Sequence, residues 1–279
     1  MPLTGWRSKN AHMTLSIAIA GAAGRMGRAL IRAASADARF AVTGGTERDG
    51  PYLGADLGVL AGDAALSVLA TASADTAGAQ ADVWLDFTTP DATLDALNQL
   101  AATKVRAAII GTTGLTPDQD QQIAAHATRI AIVRSGNFSL GVNLLAALVK
   151  QAASALGPDW DIEISETHHR RKVDAPSGTA LLLGHAAAEG RGAKLDELRL
   201  PPHNGVTGER HVGGIGFAVS RAGGIVGEHD VRFAAERETL TLAHVALDRA
   251  VFADGALAAA LWAADKPPGL YAMSDVLGL

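Results

Sequence analysis

Leu15-Ser16-Ile17-Ala18-Ile19-Ala20 runs without a break into Gly21-Ala22-Ala23-Gly24-Arg25-Met26-Gly27, and from Arg28 to Ala36 the composition turns helical. A short apolar run, a glycine turn and a helix describe the first βα unit of a parallel sheet. Glycines at this spacing have a physical purpose: the chain turns sharply, and side chains would block a pyrophosphate from the amides at the helix N-terminus. The form is G-x-x-G-x-x-G, with Ala23 where the commoner fingerprint has its middle glycine; taken alone it also fits a merely tight βα turn. The next apolar strand, Phe40–Thr43, ends near Glu47, about 20 residues beyond Gly27, where an acidic group hydrogen-bonds the ribose of a dinucleotide. Arg48 follows, and a guanidinium there accommodates a 2′-phosphate, so the pair points to tolerance of both NAD and NADP. The alternative is a solvated charged turn.

Working outward, the pattern repeats. Val83–Phe87, Ala107–Ile110 and Ile130–Val133 read as buried strands, each followed by a loop of small or hydroxyl residues and then a helix: Asp91 to about Ala102, a helix opening at Thr116-Pro117-Asp118, and Leu140–Leu156. Pro51–Asp63 reads as irregular and Ser67–Leu69 as at best a short strand. Alternating strands and helices imply a doubly wound parallel sheet, with ligands beyond the carboxyl ends of its strands. Past Gly157-Pro158 the pattern changes to a strand, Asp161–Thr167, a helix, Gly178–Glu189, and three β-type runs, Ile215–Arg221, Ile225–Phe233 and Glu238–Ala246. Ala222-Gly223-Gly224 between the first two is a hairpin signal. These predict an α+β domain with a mainly antiparallel sheet, one face of which is left to pack against other subunits. The helix Asp248–Ala263 and the tail Gly269–Leu279 have helical composition and are expected to return to the first domain. The predicted division is 14–139, joined by 248–279, and 140–247. Residues 1–13 lack periodicity and are expected to stand outside the fold.

Composition narrows the functions. The 279 residues are 48% hydrophobic and 19% charged, enough for two cores. Cysteine is absent, which excludes disulfides, thiolate metal sites and a cysteine nucleophile and fits a cytoplasmic enzyme. No apolar run reaches the roughly 18 residues of a membrane helix, and the formal charge of -5 argues against nucleic acid as a partner. The isolated histidines His203, His211, His229 and His244 have no metal-site spacing, so no metal is expected. Ser139 and Ser177 lack triad partners.

One block stands against the acidic balance: His168-His169-Arg170-Arg171-Lys172, between a strand and the helix start Pro176-Ser177-Gly178-Thr179. Like charges so close depress the pKa of histidine and lysine, which supplies proton donors near neutral pH. His168 and Lys172, four residues apart, are the candidates. A basic loop followed by the amides and hydroxyl of a helix start describes a pocket for a small molecule with several negative charges; a basic solvated turn is the bland alternative. Arg249, opening the last helix, could equally reach such an anion or lie exposed.

Gly21–Gly27, Asp86-Phe-Thr-Thr-Pro90, Gly111-Thr-Thr-Gly114, Asn137-Phe-Ser139, the string from His168 to Thr179 and Gly224-Ile-Val-Gly-Glu-His229 together resemble the 4-hydroxy-tetrahydrodipicolinate (dihydrodipicolinate) reductase family over residues 14 to 279. The resemblance implies a cytoplasmic homotetramer of the diaminopimelate route to lysine, using NADH or NADPH, with an N-terminal Rossmann-type domain and a C-terminal substrate-binding and tetramerisation domain. It implies cofactor contacts at Gly21, Ala22, Ala23, Gly24, Arg25, Met26, Glu47, Arg48, Gly111, Thr112, Thr113, Ser135, Gly136, Asn137 and Phe138. It implies proton transfer by His168 and Lys172, and contact with a cyclic dicarboxylate by His169, Gly178 and Thr179. The chain departs from the family at Ser135-Gly136, where Ala-Pro is expected, and at Arg171, where a third histidine is. Another two-domain dehydrogenase, acting on aspartate or homoserine, and a regulatory protein that binds NAD(P)H without turnover are the rival functions.

Overall fold

The computed structural model describes residues 14–279; the expectation for residues 1–13 lies outside them. In chain order the elements are β1 (Leu15–Ile19), α1 (Arg25–Ser35), β2 (Phe40–Gly45), α2 (Leu57–Ala61), α3 (Ala74–Gly78), β3 (Val83–Asp86), α4 (Pro90–Gln99), β4 (Ala107–Ile110), α5 (Pro117–His126), β5 (Ala131–Arg134), α6 (Leu140–Ala155), β6 (Asp161–His168), α7 (Gly178–Gly190), α8 (Leu195–Leu198), β7 (Ile215–Arg221), β8 (Gly227–Ala234), β9 (Thr239–Ala246), α9 (Ala250–Ala263), β10 (Gly269–Tyr271) and α10 (Met273–Leu277). Two compact units result. The first runs to Ser135 and takes in Ala256–Ala272; the second is Gly136–Gly255 with Met273–Leu279.

The first unit is a six-stranded sheet in the order β10-β5-β4-β3-β1-β2, every pair parallel. Strand order reverses between β1 and β3, which makes the loops after those strands the place for a ligand. Ala18, Trp84, Ala108 and Ile132, one each from β1, β3, β4 and β5, pack with Leu97, Leu100 and Ile123 from the helical side. β1, β3, β4 and β5 are buried on both faces, which is why they read as largely apolar runs. Helix starts follow local chemistry: Thr116 accepts from the Gln119 amide in a capping box with Pro117 behind it.

The second unit has a four-stranded sheet in the order β7-β6-β8-β9, with β6–β7 parallel and the other pairs antiparallel. Ile162, Ile164, Ile215, Val231 and Phe233 meet Leu145 and Val149 of α6 and Leu183 and Ala187 of α7. Within this unit the helices cover one face. The other carries Glu228, Asp230 and Arg232 on β8 and Thr239, Thr241 and Val245 on β9, with Val245 55% exposed.

Four sequence expectations need correction. Ala222-Gly223-Gly224 does not close a hairpin: β6 lies between β7 and β8, and the turn passes over its end, with Ala222 N donating to His168 O and Arg170 N to Gly223 O. The tail is not wholly helical, since Gly269–Tyr271 forms β10 against β5. The irregular stretch contains α2, whose start is capped by Asp56 accepting from Gly58 and Val59. The Ser67–Leu69 strand shrinks to a bridge between Leu69 and Asp56.

Candidate active site

In the first unit a cleft of about 610 Å³ opens beyond the ends of β1, β2 and β3, lined by Gly21, Gly24, Arg25, Met26, Gly27, Thr46, Glu47, Arg48 and Phe87–Thr89, among others, a volume in the range of small-molecule sites. Gly21 has φ 62°, in the left-handed region that side chains resist. Gly27 allows α1 to sit against the turn, since a Cβ there would come within 2.2 Å of Gly21 O. Gly24 is the N-cap of α1 and brings no side chain to its amides, and the first turn of the helix holds no acidic residue. Glu47, half-buried, accepts from Ala23 N at 2.9 Å and from Arg48 N at 3.1 Å. This fixes the carboxylate beside the turn and leaves the exposed Arg48 next to it. A glycine turn packed too closely against α1 for a side chain at Gly27, with an acid at the end of β2, fits a dinucleotide.

The other expected cofactor residues are distributed differently. Ala22 is buried beneath the turn. Gly111 and Thr112 follow β4, with Thr113 exposed beyond them. Thr112 turns its hydroxyl inward to Thr93 Oγ1 at 2.8 Å and Asp86 Oδ1 at 3.3 Å. Asp86, 1% exposed, also receives Thr88 N at 3.0 Å and Thr88 Oγ1 at 2.6 Å, so one buried carboxylate ties together the loops after β3 and β4. Ser135 closes the first unit, while Gly136, Asn137 and Phe138 belong to the second, where Asn137 Nδ2 donates to Thr179 Oγ1 at 2.9 Å.

The basic block resolves into distinct environments. His168 ends β6 and is buried, with Nδ1 hydrogen-bonded to Glu166 Oε2. Glu166 also accepts Ser177 N at 2.9 Å and both Arg221 Nη atoms, Nη1 to Oε2 at 2.9 Å and Nη2 to Oε1 at 3.0 Å. Burial raises the Glu166 pKa, but Arg221, His168 and the Ser177 amide outweigh it and hold the carboxyl below its ordinary value. His229, opposite Glu166 in the β6–β8 ladder, places its ring edge-on to His168 with centroids 5.0 Å apart. Its Nε2 lies 3.1 Å from Ser177 Oγ. Burial first, then the charge of His168, pushes its pKa down to about 4.

Lys172 pairs with Asp174 at 2.9 Å. His169 Nε2 takes a hydrogen bond from Arg249 Nη2 at 2.8 Å, so that nitrogen is the unprotonated one. Desolvation, then Arg249 and Arg171, lower its pKa. Ser177 caps α7 through Ala180 N, leaving Gly178 and Thr179 as its first two residues. The Ser177 amide and hydroxyl, expected to face a ligand, are engaged by Glu166 and His229 instead.

Sequence reasoning missed Glu166, Arg221 and His229 as parts of one network. Glu166 carried a signal: it falls on the inward phase of β6, with Ile162 and Ile164, where an unpaired carboxylate would be costly. Glu166, His168 and His229 bring ligand-type atoms within 4.8 Å of one another, but the Arg221 guanidinium already supplies the positive charge that the carboxylate requires.

Two family models match the chain, dihydrodipicolinate reductase N-terminus over residues 15–138 and C-terminus over 141–277. The 4-hydroxy-tetrahydrodipicolinate reductase of Parvibaculum lavamentivorans is 54% identical over 95% of this chain and 98% of its own. That of Caulobacter vibrioides is 52% identical over 95% and 97%. Among solved structures, a dipicolinate-bound dihydrodipicolinate reductase from Paenisporosarcina sp. TG-14 superposes with a TM-score of 0.72 at 25% identity, covering 93% of this chain and 98% of that one.

Proposed function

The chain belongs to the dihydrodipicolinate reductase family, and from that premise we propose that it reduces 4-hydroxy-tetrahydrodipicolinate to tetrahydrodipicolinate in the diaminopimelate route to lysine. The observation that carries this is the loop that begins at the Glu166–His168 pair and ends at the N-terminus of α7. A titratable imidazole and helix amides within one short loop are what a dicarboxylate undergoing proton transfer requires.

The first unit would hold a nicotinamide dinucleotide: Gly21 to Met26 its pyrophosphate, Glu47 and Arg48 the adenosine ribose, and Gly111–Thr113 with Ser135 the remainder. When bound, the nicotinamide supplies the hydride that reduces C4 of the ring. Glu47 suits the free ribose hydroxyls and Arg48 the 2′-phosphate, so NADH and NADPH both serve. The second unit takes the dicarboxylate. His169, Gly178 and Thr179 hold its carboxylates, and His168 and Lys172 deliver the proton to the neighbouring carbon or assist loss of water. Arg249 keeps His169 neutral and a hydrogen-bond donor through Nδ1. The uncovered face of the β7-β6-β8-β9 sheet, with Val245 exposed, supports a homotetramer assembled through this unit, and the biosynthetic role carries a cytoplasmic location with it.

The test is NADH or NADPH consumption by the purified chain with substrate generated freshly by the upstream synthase. Turnover that depends on that substrate supports the assignment. Turnover with aspartate semialdehyde or homoserine instead would favour another dehydrogenase, and cofactor binding without any turnover a regulatory protein.

A further inference from the structure

The His168 imidazole is anchored by a hydrogen bond at one ring nitrogen. Its Nδ1 faces Glu166 Oε2, while its Nε2 lies beside Gly227, where a Cβ would come within 3.1 Å of it. Gly227 therefore leaves room at the nitrogen that remains for a reacting partner. Glu166 has a side chain with no exposure, yet both its oxygens are satisfied by fixed donors: the two Arg221 nitrogens and the Ser177 amide. A carboxylate so gripped stays ionised and only accepts, so the nitrogen facing it must carry the proton.

We infer that Glu166, gripped by Arg221, is a positioning residue for the reaction: it holds the His168 proton on Nδ1, leaving Nε2 as the atom that exchanges a proton with the substrate. The assignment deepens the reading of His168 as a proton-transfer residue and rests on it. Chemically, the carboxylate stabilises the imidazolium that forms when Nε2 is protonated, and Arg221 moderates this by cancelling part of the negative charge. Charged and titratable groups meet His168 from every side: Glu166 on its own strand, Arg221 opposite it on β7, His229 on β8, and His169 and Lys172 on the loop. Of these, Glu166 is the one bonded to the ring, so the direction of a pH effect follows from it. Its removal takes away the negative charge that stabilises the imidazolium.

The test uses the full-length protein. Glu166→Gln is expected to lower kcat by about 10- to 100-fold, as loss of a group that orients a functional histidine does, and to move the basic limb of the kcat/KM profile, where the donor loses its proton, to lower pH, with NADPH affinity unchanged within twofold. Glu166→Gln introduced into a His168→Ala background is expected to add nothing further, since the two act through one path. In the unaltered protein, nitrogen NMR of labelled histidine is expected to find neutral His168 as the Nδ1–H tautomer, an observation that does not depend on any variant folding. The inference is overturned if that tautomer is Nε2–H, if Glu166→Gln leaves kcat and the pH profile intact, or if it weakens NADPH binding as much as turnover. Full activity of His168→Ala would overturn both this inference and the role of His168; loss of activity in His168→Ala with a silent Glu166→Gln would overturn the positioning role alone.

Discussion

Arg221 grips Glu166 through two parallel hydrogen bonds of 2.9 and 3.0 Å, although 55 positions separate the two residues in the chain. The pair exists because β7 lies parallel to β6 and brings Arg221 opposite His168 and next to Glu166. Removing one partner of such a buried pair leaves an uncompensated charge, which costs about 3 kcal/mol or more. Arg221→Met is therefore expected to lower the unfolding free energy by about that amount at pH 7, measured by the denaturant midpoint. Glu166→Gln with Arg221→Met together should cost less than Arg221→Met alone.

His229 makes stability depend on pH. Its folded pKa is pushed down to about 4, whereas the unfolded chain titrates near 6.5. The unfolded state therefore binds more protons between those values, and stability is lost as pH falls from about 6.5 towards about 4. The full effect is at most about 3–4 kcal/mol, at about 1.4 kcal/mol per unit. A series of unfolding curves from pH 7 to pH 4.5 should fall less steeply for His229→Gln than for the unaltered chain. Parallel slopes would mean that His229 is not held neutral.

Gly27 and Gly24 separate crowding from mere exposure. A Cβ at Gly27 would lie 2.2 Å from Gly21 O and 2.8 Å from Ala22 Cα, whereas at Gly24 it would lie 3.0 Å from Gly21 O. Backbone on two sides cannot yield, so Gly27→Ala should force α1 off the turn at a cost of about 1–3 kcal/mol. Its NADPH affinity is expected to fall at least tenfold, and that of Gly24→Ala by less. Calorimetric titration compares them.

Arg48 is exposed and adjacent to the fixed Glu47. If its guanidinium meets the 2′-phosphate, Arg48→Ala should raise KM for NADPH about tenfold, an interaction of about 1.4 kcal/mol, and leave KM for NADH within twofold. Equal change for both cofactors would assign Arg48 to the surface.

The parallel sheet was legible because β1, β3, β4 and β5 are buried on both faces and therefore largely apolar, and because each ends in a loop of small residues. β10 was not: Gly269–Tyr271 is three residues long and owes its conformation to the ladder with β5. α2 and α3, five residues each, are too short for a helical period to declare itself. Ala222-Gly223-Gly224 has hairpin composition, but β6 occupies the position between β7 and β8 that a hairpin would close, and no local signal records that competition. The same limit applies to the site. His168, His169 and Lys172 stand in one string, so their chemistry could be proposed from residue type and spacing. Which of them meets Glu166, Arg249 or Asp174 follows from strand register and loop path, which residue type does not encode.

The most direct test of the proposed reduction follows the hydride itself. The purified chain is supplied with NADPH deuterated at its transferable position and with substrate made in place by the upstream synthase, and the product is analysed by mass spectrometry and NMR. One deuterium at C4 of tetrahydrodipicolinate is expected, with none when the protein is omitted. Product without deuterium, or no product while NADPH binds normally, would contradict the proposed reaction.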